Sequence, residues 1–389
     1  MRNLVKNYNL KVVLIALAIF LFQSQLAIAD LYDRETEDNT VSQYLFLKLT
    51  TNKFDELEKI LKIYLDLYLT DLIPLDTLYS KFSAFKTPGI DQYYNAWINA
   101  YPKSYSARLA RGVYRYNVAY EKRGTNFSDK TTDGQFQDFE KILKESKSDL
   151  EESLRLYERP VLTYCYLLQI SSRLNLNSER KLLDAALKLD QKAYNLRSAY
   201  LNSITPKWGG NDKLMKEFMD ENNKSPLSDY VKKILVSEYY YYLAEQEGLN
   251  RNYKSASDLY LNAYKASNSP GYLRASGNLA FDGGFKELAF QRFDELVKAH
   301  HKYTLGYIRR GYVYETELNN YELALKDYLI ACELGNSWAQ NRVGWLFMMG
   351  VQKDFTKAEY FLKLAAKQNN KTAIENLAIL KKMRESEAP

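Results

Sequence analysis

The chain has 389 residues, 46% of them apolar and 26% charged, with 2 cysteines, 2 histidines and 34 tyrosines. The formal charge of +6 rests on 54 basic and 48 acidic side chains; setting aside Arg2, Lys6 and Lys11 of an acid-free leader leaves 51 against 48, a net charge of about +3. So even a mixture lacks the clustered Lys and Arg that nucleic acid needs, and two cysteines are too few for a disulfide framework.

Those three basic residues flank or precede an unbroken apolar run over residues 12–22, which Ala27-Ile28-Ala29 follows as a small-x-small cleavage site. The run is shorter than the ~20 residues of a spanning helix, so residues 1–29 read as a cleaved secretory signal, with Asp30 as the mature N-terminus. A retained signal-anchor is the alternative. With no cysteine at the cleavage site a lipoprotein anchor is excluded, and no later segment is apolar enough to span a membrane. The expected location is periplasmic or secreted.

Residues 30–40 form an acidic linker, and residues 41–225 read as an irregular helical-repeat domain. Helical patterns cover Phe54–Leu69 and Ser104–Arg123, the latter following Pro102 with Ser104 as N-cap. Residues 124–134 have turn composition. Helices are then expected over Gln135–Tyr157, Val161–Leu174, Ser178–Leu189 and Ala193–Ser203, separated by Pro160 and the Asn-rich residues 175–178. No alternating strand pattern occurs, so the fold class is all-α. Cys165 and Cys332 sit in apolar runs and are expected as free, buried thiols, with a single long-range bridge between them as the alternative.

The order Trp97, Tyr101, Pro102, Ser104, Ala107, Gly112, Arg123 and Gly124, followed by Pro206, Trp208, Gly209 and Gly210, resembles a bacterial family of uncharacterised helical-repeat domains over residues 41–222. That resemblance implies fold and bacterial origin, with no chemistry. The Pro-x-Trp-Gly-Gly stretch itself reads as a structural turn. Pro206 ends one helix, the two glycines permit positive φ, Asn211 or Asp212 caps the next helix, and Trp208 pins the corner. An anion at that helix start would meet the charge of Asp212.

From residue 226 the chain repeats. Gly277, Gly311 and Gly344 are spaced 34 and 33 apart, and Ala256, Ala289, Ala324 and Ala358 are spaced 33, 35 and 34, each preceded by an aromatic (Tyr253, Phe285, Tyr321, Phe355). Small residues at a ~34-residue period mark close helix crossings, with aromatics expected to fill the gaps beside them, and each hairpin leaves an apolar flank for its neighbour to cover. This pattern resembles tetratricopeptide repeats. The last unit is similar to the Sel-one-like variety through Ala339, Gly344, Phe347, Gly350, Val351, Asp354, Ala358, Ala365, Ala366 and Ala373, although Gln368 stands where a glycine is usual. An α-solenoid of antiparallel hairpins is expected over 226–389, and the resemblance implies a concave groove that recognises peptides or protein surfaces.

Positions −3, +1 and +4 from each repeat glycine share one helical stripe. They are Arg274, Asn278 and Phe281; Ile308, Tyr312 and Glu315; and Asn341, Trp345 and Met348. Amides for a peptide backbone and rings for its side chains make these the expected partner-binding residues. The run Tyr239–Tyr242 points every way round a helix and reads as hairpin packing before binding.

Catalytic signals are sparse. His300 and His301 are adjacent, point about 100° apart on a helix, and read as partners of its C-terminal carbonyls rather than as metal ligands. No nucleophile turn, Walker loop or dinucleotide fingerprint occurs, and no cofactor is implied. The expected function is an exported, non-enzymatic helical-repeat scaffold binding a protein or peptide in the cell envelope. A carboxylate-based envelope glycan hydrolase and a passive scaffold are the alternatives.

Overall fold

A computed structural model describes residues 41–124, 131–350 and 353–387. The expected signal peptide and acidic linker, most of the 124–134 turn and Val351 of the repeat motif lie outside the described residues. Among the described residues every regular element is a helix. They form two compact units that part between Ser203 and Ile204, earlier than the 225/226 division expected from the sequence.

In the first unit a helical lead-in (41–50) precedes α1 (Phe54–Leu69), α2 (Leu75–Phe82), α3 (Asp91–Ala100), α4 (Tyr105–Arg123), α5 (Asp133–Ser153), α6 (Val161–Arg173), α7 (Glu179–Leu187) and α8 (Tyr194–Ser203). Leu57, Leu61, Leu65 and Tyr68 of α1 recur at intervals of four and three and are all buried, the one-sided burial of a packed amphipathic helix. Trp97 of α3 is fully buried between Phe54 and Phe85, with ring centroids 6.4 and 5.9 Å away. Burial of such a side chain contributes roughly 1.5–3 kcal/mol. The Ser104 hydroxyl caps α4 by accepting from Ala107 N–H at 2.9 Å, and Thr132 with Gln135 forms a capping box on α5.

The second unit starts with a 3-10 turn, Pro206–Trp208, and runs through α9 (Asp212–Asn223), α10 (Asp229–Leu249), α11 (Tyr253–Ser267), α12 (Pro270–Asp282), α13 (Lys286–Ala299), α14 (Thr304–Thr316), α15 (Tyr321–Glu333), α16 (Ser337–Met349), α17 (Phe355–Lys367) and α18 (Lys371–Glu387). Each helix from α10 onward packs on its successor, so α10–α11, α12–α13, α14–α15 and α16–α17 are stacked antiparallel hairpins, an α-solenoid. The turn and α9 belong to this unit through Tyr239 of α10, whose hydroxyl donates to Asp212 at 2.7 Å.

The repeat glycines mark the tightest crossings. A methyl group on Gly277 would meet the Phe293 ring at 2.4 Å, on Gly311 the Tyr328 ring at 2.8 Å, and on Gly344 the Leu362 side chain at 2.7 Å. Ala289, Ala324 and Ala358, each four residues before that bulky side chain, are fully buried. The aromatics before them act only in part as expected. Tyr253, Tyr321 and Phe355 open their helices, Phe285 is the N-cap residue of α13, and Phe285 and Tyr321 are exposed. All four mark helix starts; Phe355 also packs on the core around Ala358, as expected, and Tyr253 is half-buried, whereas Phe285 and Tyr321 do not fill the core.

Asparagine closes several helices where glycine is more usual: Asn52, Asn175, Asn177, Asn268, Asn319 and Asn369 take φ between +48° and +61°. Gln368 therefore needs no glycine conformation. It keeps φ at −93°, Asn369 takes the left-handed position, and the Gln368 amide donates to Gly335 O at 3.1 Å.

Candidate functional site

The first helices of the hairpins, α12, α14 and α16, carry the nine residues expected to line a groove. Three of them are corrected by burial. Ile308 packs with Ala331 and Ala339, Met348 lies in the core around Leu362 and Leu380, and the Glu315 carboxylate is buried, accepting from Tyr328 Oη at 2.8 Å and from the Arg342 guanidinium. The cause is the stacking itself, because the +4 side of α14 and α16 is where the next hairpin covers the helix.

Of the rest, Arg274 donates to Tyr303 Oη at 3.1 Å, Asn341 accepts from Asn376 at 2.9 Å, and Trp345 lies beneath the Arg342 guanidinium, 4.4 Å from its ring centroid. Those three are half-buried and already engaged. Asn278, Phe281 and Tyr312 come together at one place. Their helices, α12 and α14, bound a cleft of about 80 Å³ that Asp282, Phe293, Arg309 and Val313 complete, and the Phe281 and Tyr312 rings meet edge to face at 5.6 Å.

Arg309 is the residue the sequence reading missed. It is exposed, and neither it nor Asn278 has an ion pair or hydrogen bond through its side chain in the described structure. The more open stripe runs through positions −6, −2, +1 and +5 from the repeat glycine: Leu305, Arg309, Tyr312 and Thr316 on α14, and Trp338, Arg342, Trp345 and Met349 on α16. That lies roughly 60° round the helix from the expected stripe, taking 100° per residue. A period-3.6 count finds a stripe but not its rotation, which the neighbouring hairpin sets.

The cleft can offer an amide, a guanidinium and an aromatic wall, which suits an extended peptide with an acidic or carboxylate-bearing group. Carboxyls of raised pKa lie elsewhere. Burial pushes Glu58 up against the opposing hydrogen bonds of Ser104 and Trp97, and pushes Asp76 up against that of Asn195. Neither lines the cleft. His300 ends α13, and its ring meets Tyr264, with Nε2 3.3 Å from the hydroxyl rather than on a helix carbonyl. Cys165 is buried and Cys332 half-buried, both free, and burial raises both thiols, Cys332 to about 12. Neither is a ready thiolate nucleophile.

The motif residues of the first unit hold the fold together. Trp97 Nε1 donates to Glu58 at 2.8 Å, Ser104 Oγ donates to the same carboxylate, and Tyr101 Oη donates to Asp55, so the corner between α3 and α4 is tied to α1. Gly112 admits Leu150 of α5, and the Ser146 hydroxyl donates to Gly112 O at 2.7 Å. In the Pro-x-Trp-Gly-Gly turn, Gly209 has φ +88°, while Gly210 is required for space, since a methyl there would lie 1.9 Å from Ile204 O. Asn211 caps α9 by accepting from Leu214 N–H at 3.0 Å. Trp208 is half-buried, with Lys207 Nζ 5.3 Å from its ring centroid, so Gly210 constrains this corner more than the indole does.

Residues 49–180 match a domain family of unknown function, DUF4034. The match takes in Trp97–Gly124 and ends before Pro206, so the turn is not part of it. No curated protein matches the chain. Among solved structures the chain is similar to yeast Tom70, at 11% identity over 90% of this chain and 89% of that one, with a TM-score of 0.37. It is similar also to Cut9 of the APC/C hetero-tetramer Cut9–Hcn1, at 14% identity over 88% and 76%, TM-score 0.34. A human IFIT1 dimer with PPP-AAAA aligns at 12% identity over 93% and 97%, TM-score 0.36. Likenesses this distant carry nothing about partners or ligands.

Proposed function

We propose that this protein is an exported, non-enzymatic helical-repeat scaffold whose second unit holds an extended peptide segment of a protein partner in the cell envelope. The observation that carries the reading is the cleft between α12 and α14, where Asn278 and Arg309 present unengaged polar groups beside the Phe281–Tyr312 wall. A half-buried amide such as that of Asn278 pairs with a peptide backbone, an arginine fork with a carboxylate, and rings with apolar side chains. Export rests on the leader, residues 1–29. The absence of catalysis rests on the raised carboxyls standing outside the cleft among neutral donors.

Affinity capture from an envelope fraction with the mature chain should recover a partner that Asn278→Ala with Arg309→Ala loses, at unchanged thermal stability. Equal retention by the variant overturns the cleft. Recovery of the chain only in the cytosol with residues 1–29 attached overturns export. Fragments released from peptidoglycan by the purified protein overturn the non-enzymatic reading.

A further inference from the structure

The first unit holds a concentration of positive charge that its fold does not neutralise. Arg108, Arg111 and Arg115 lie on one face of α4 at steps of three and four, and all three converge on Asp149 of α5. Arg111 grips Asp149 through two bonds, Nε to Oδ2 at 2.7 Å and Nη2 to Oδ1 at 2.6 Å. Arg108 reaches Oδ1 at 3.2 Å and Arg115 reaches Oδ2 at 2.8 Å. The Asp149 side chain is 3% exposed, and those of the arginines are 25%, 14% and 20% exposed. Guanidinium groups stay charged at any working pH, so three fixed cations share one buried anion. Glu145 approaches only Arg115, at 3.8 Å, from a side chain that is 45% exposed. The excess is therefore one to two positive charges in a half-buried place.

The corresponding place in α14–α15 shows the alternative. Arg310 precedes Gly311 as Arg111 precedes Gly112, and Asp327 precedes Tyr328 as Asp149 precedes Leu150. There one arginine meets two carboxylates, Asp327 at 2.7 and 2.8 Å and Asp294 at 2.7 Å. Asp327 of the same hairpin and Asp294 of the preceding α13 together outnumber the one guanidinium, whereas on α4 three guanidinium groups share the one buried carboxylate.

We propose that Arg108, Arg111 and Arg115 form a binding site for a phosphate group, with Asp149 holding the three forks in place. A phosphomonoester carries about −1.5 to −2 at pH 7 and three acceptor oxygens, enough to match the excess, whereas a single carboxylate brings one charge. Asn95, which accepts from Arg111 Nη1 at 2.8 Å, steers that fork and stands at the rim. The site belongs to α4 and α5 and does not depend on the peptide cleft.

The test uses the mature full-length chain. Millimolar inorganic phosphate, with ionic strength held constant by sodium chloride, should raise its Tm by roughly 2–4 °C. Acetate at the same ionic strength should give less than half of that shift. Arg108→Gln with Arg115→Gln, which keeps the two-pronged Arg111–Asp149 pair, should abolish the phosphate shift. If the double variant does not fold, Arg108→Gln alone, at the most exposed of the three, should halve it. A shift no larger than that of chloride, or one kept in the variants, overturns the site, and an equal shift with acetate overturns the phosphate class.

Discussion

Gly112 faces Leu150 with Ser146 one turn before it, and Gly311 faces Tyr328 with Ala324 one turn before it. One crossing thus serves a hairpin of the irregular first unit and a hairpin of the regular second. What differs is the lining. Around the first crossing the polar groups are three arginines on one carboxylate; around the second they are one arginine between two carboxylates. A close helix crossing is a backbone property that a small residue permits, while the charge beside it is free to change from hairpin to hairpin.

The sharpest way to separate the two is to remove the shared anion. Asp149→Ala takes the one buried carboxylate from three neighbouring guanidinium groups, leaving Asn95 to Arg111 and the exposed Glu145 to Arg115, and should cost about 3 kcal/mol in chemical denaturation, whereas Asp327→Ala leaves Arg310 its second carboxylate and should cost about 1 kcal/mol. Equal losses would mean that the arginines of α4 are not mutually repelling. The crossings themselves differ less. Gly277→Ala and Gly112→Ala each regain about 1 kcal/mol of helix propensity. Net of that, Gly277→Ala pushes a methyl into the rigid Phe293 ring and should cost about 2 kcal/mol, while Gly112→Ala meets Cγ and Cδ2 of the more flexible Leu150 side chain and should lie within about 1 kcal/mol of wild type. A costlier Gly112→Ala would show that α4 and α5 cannot part by a few tenths of an ångström.

The smallest contrast is in pH dependence, and its sign differs between Glu58 of the first unit and Asp294 of the second. Glu58 is held up by burial, so the folded state keeps its proton longer than the unfolded chain, and its contribution is lost as pH rises through the folded value. Burial also acts against Asp294 ionising, but Lys298 and Arg310 prevail and hold it down, so its contribution is present above the unfolded value and is lost as pH falls. Stability measured from pH 3 to 7 should therefore decline less with rising pH in Glu58→Gln than in wild type. Asp294→Asn should instead remove part of the loss on acidification.

Much of the fold was legible because helix periodicity and punctuation are local. The expected Phe54–Leu69 helix and the Ser104 cap are found as read, and the helices after Val161 agree within two residues. Expectation ran past the helix that ends at Ser153, because residues 154–157 are helix-compatible but close as a turn. The candidate site was less legible. Asn278, Phe281 and Tyr312 share the cleft, but Ile308, Glu315 and Met348 are buried, and Arg309 lay outside the chosen stripe.

The sequence alone determined that this chain is helical, that it repeats at about 34 residues, and where its helices approach most closely, because those properties depend on neighbours three and four residues apart and on the absence of a side chain at glycine. Only the tertiary structure decided which side of each first helix stays open and which charges meet. Glu315 is an ordinary acid in its own helix until Arg342 of the next hairpin covers it, and Asp149 has no reason to gather three arginines until α5 folds back along α4. Those contacts join residues about 27 to 41 positions apart, beyond the reach of any helical period.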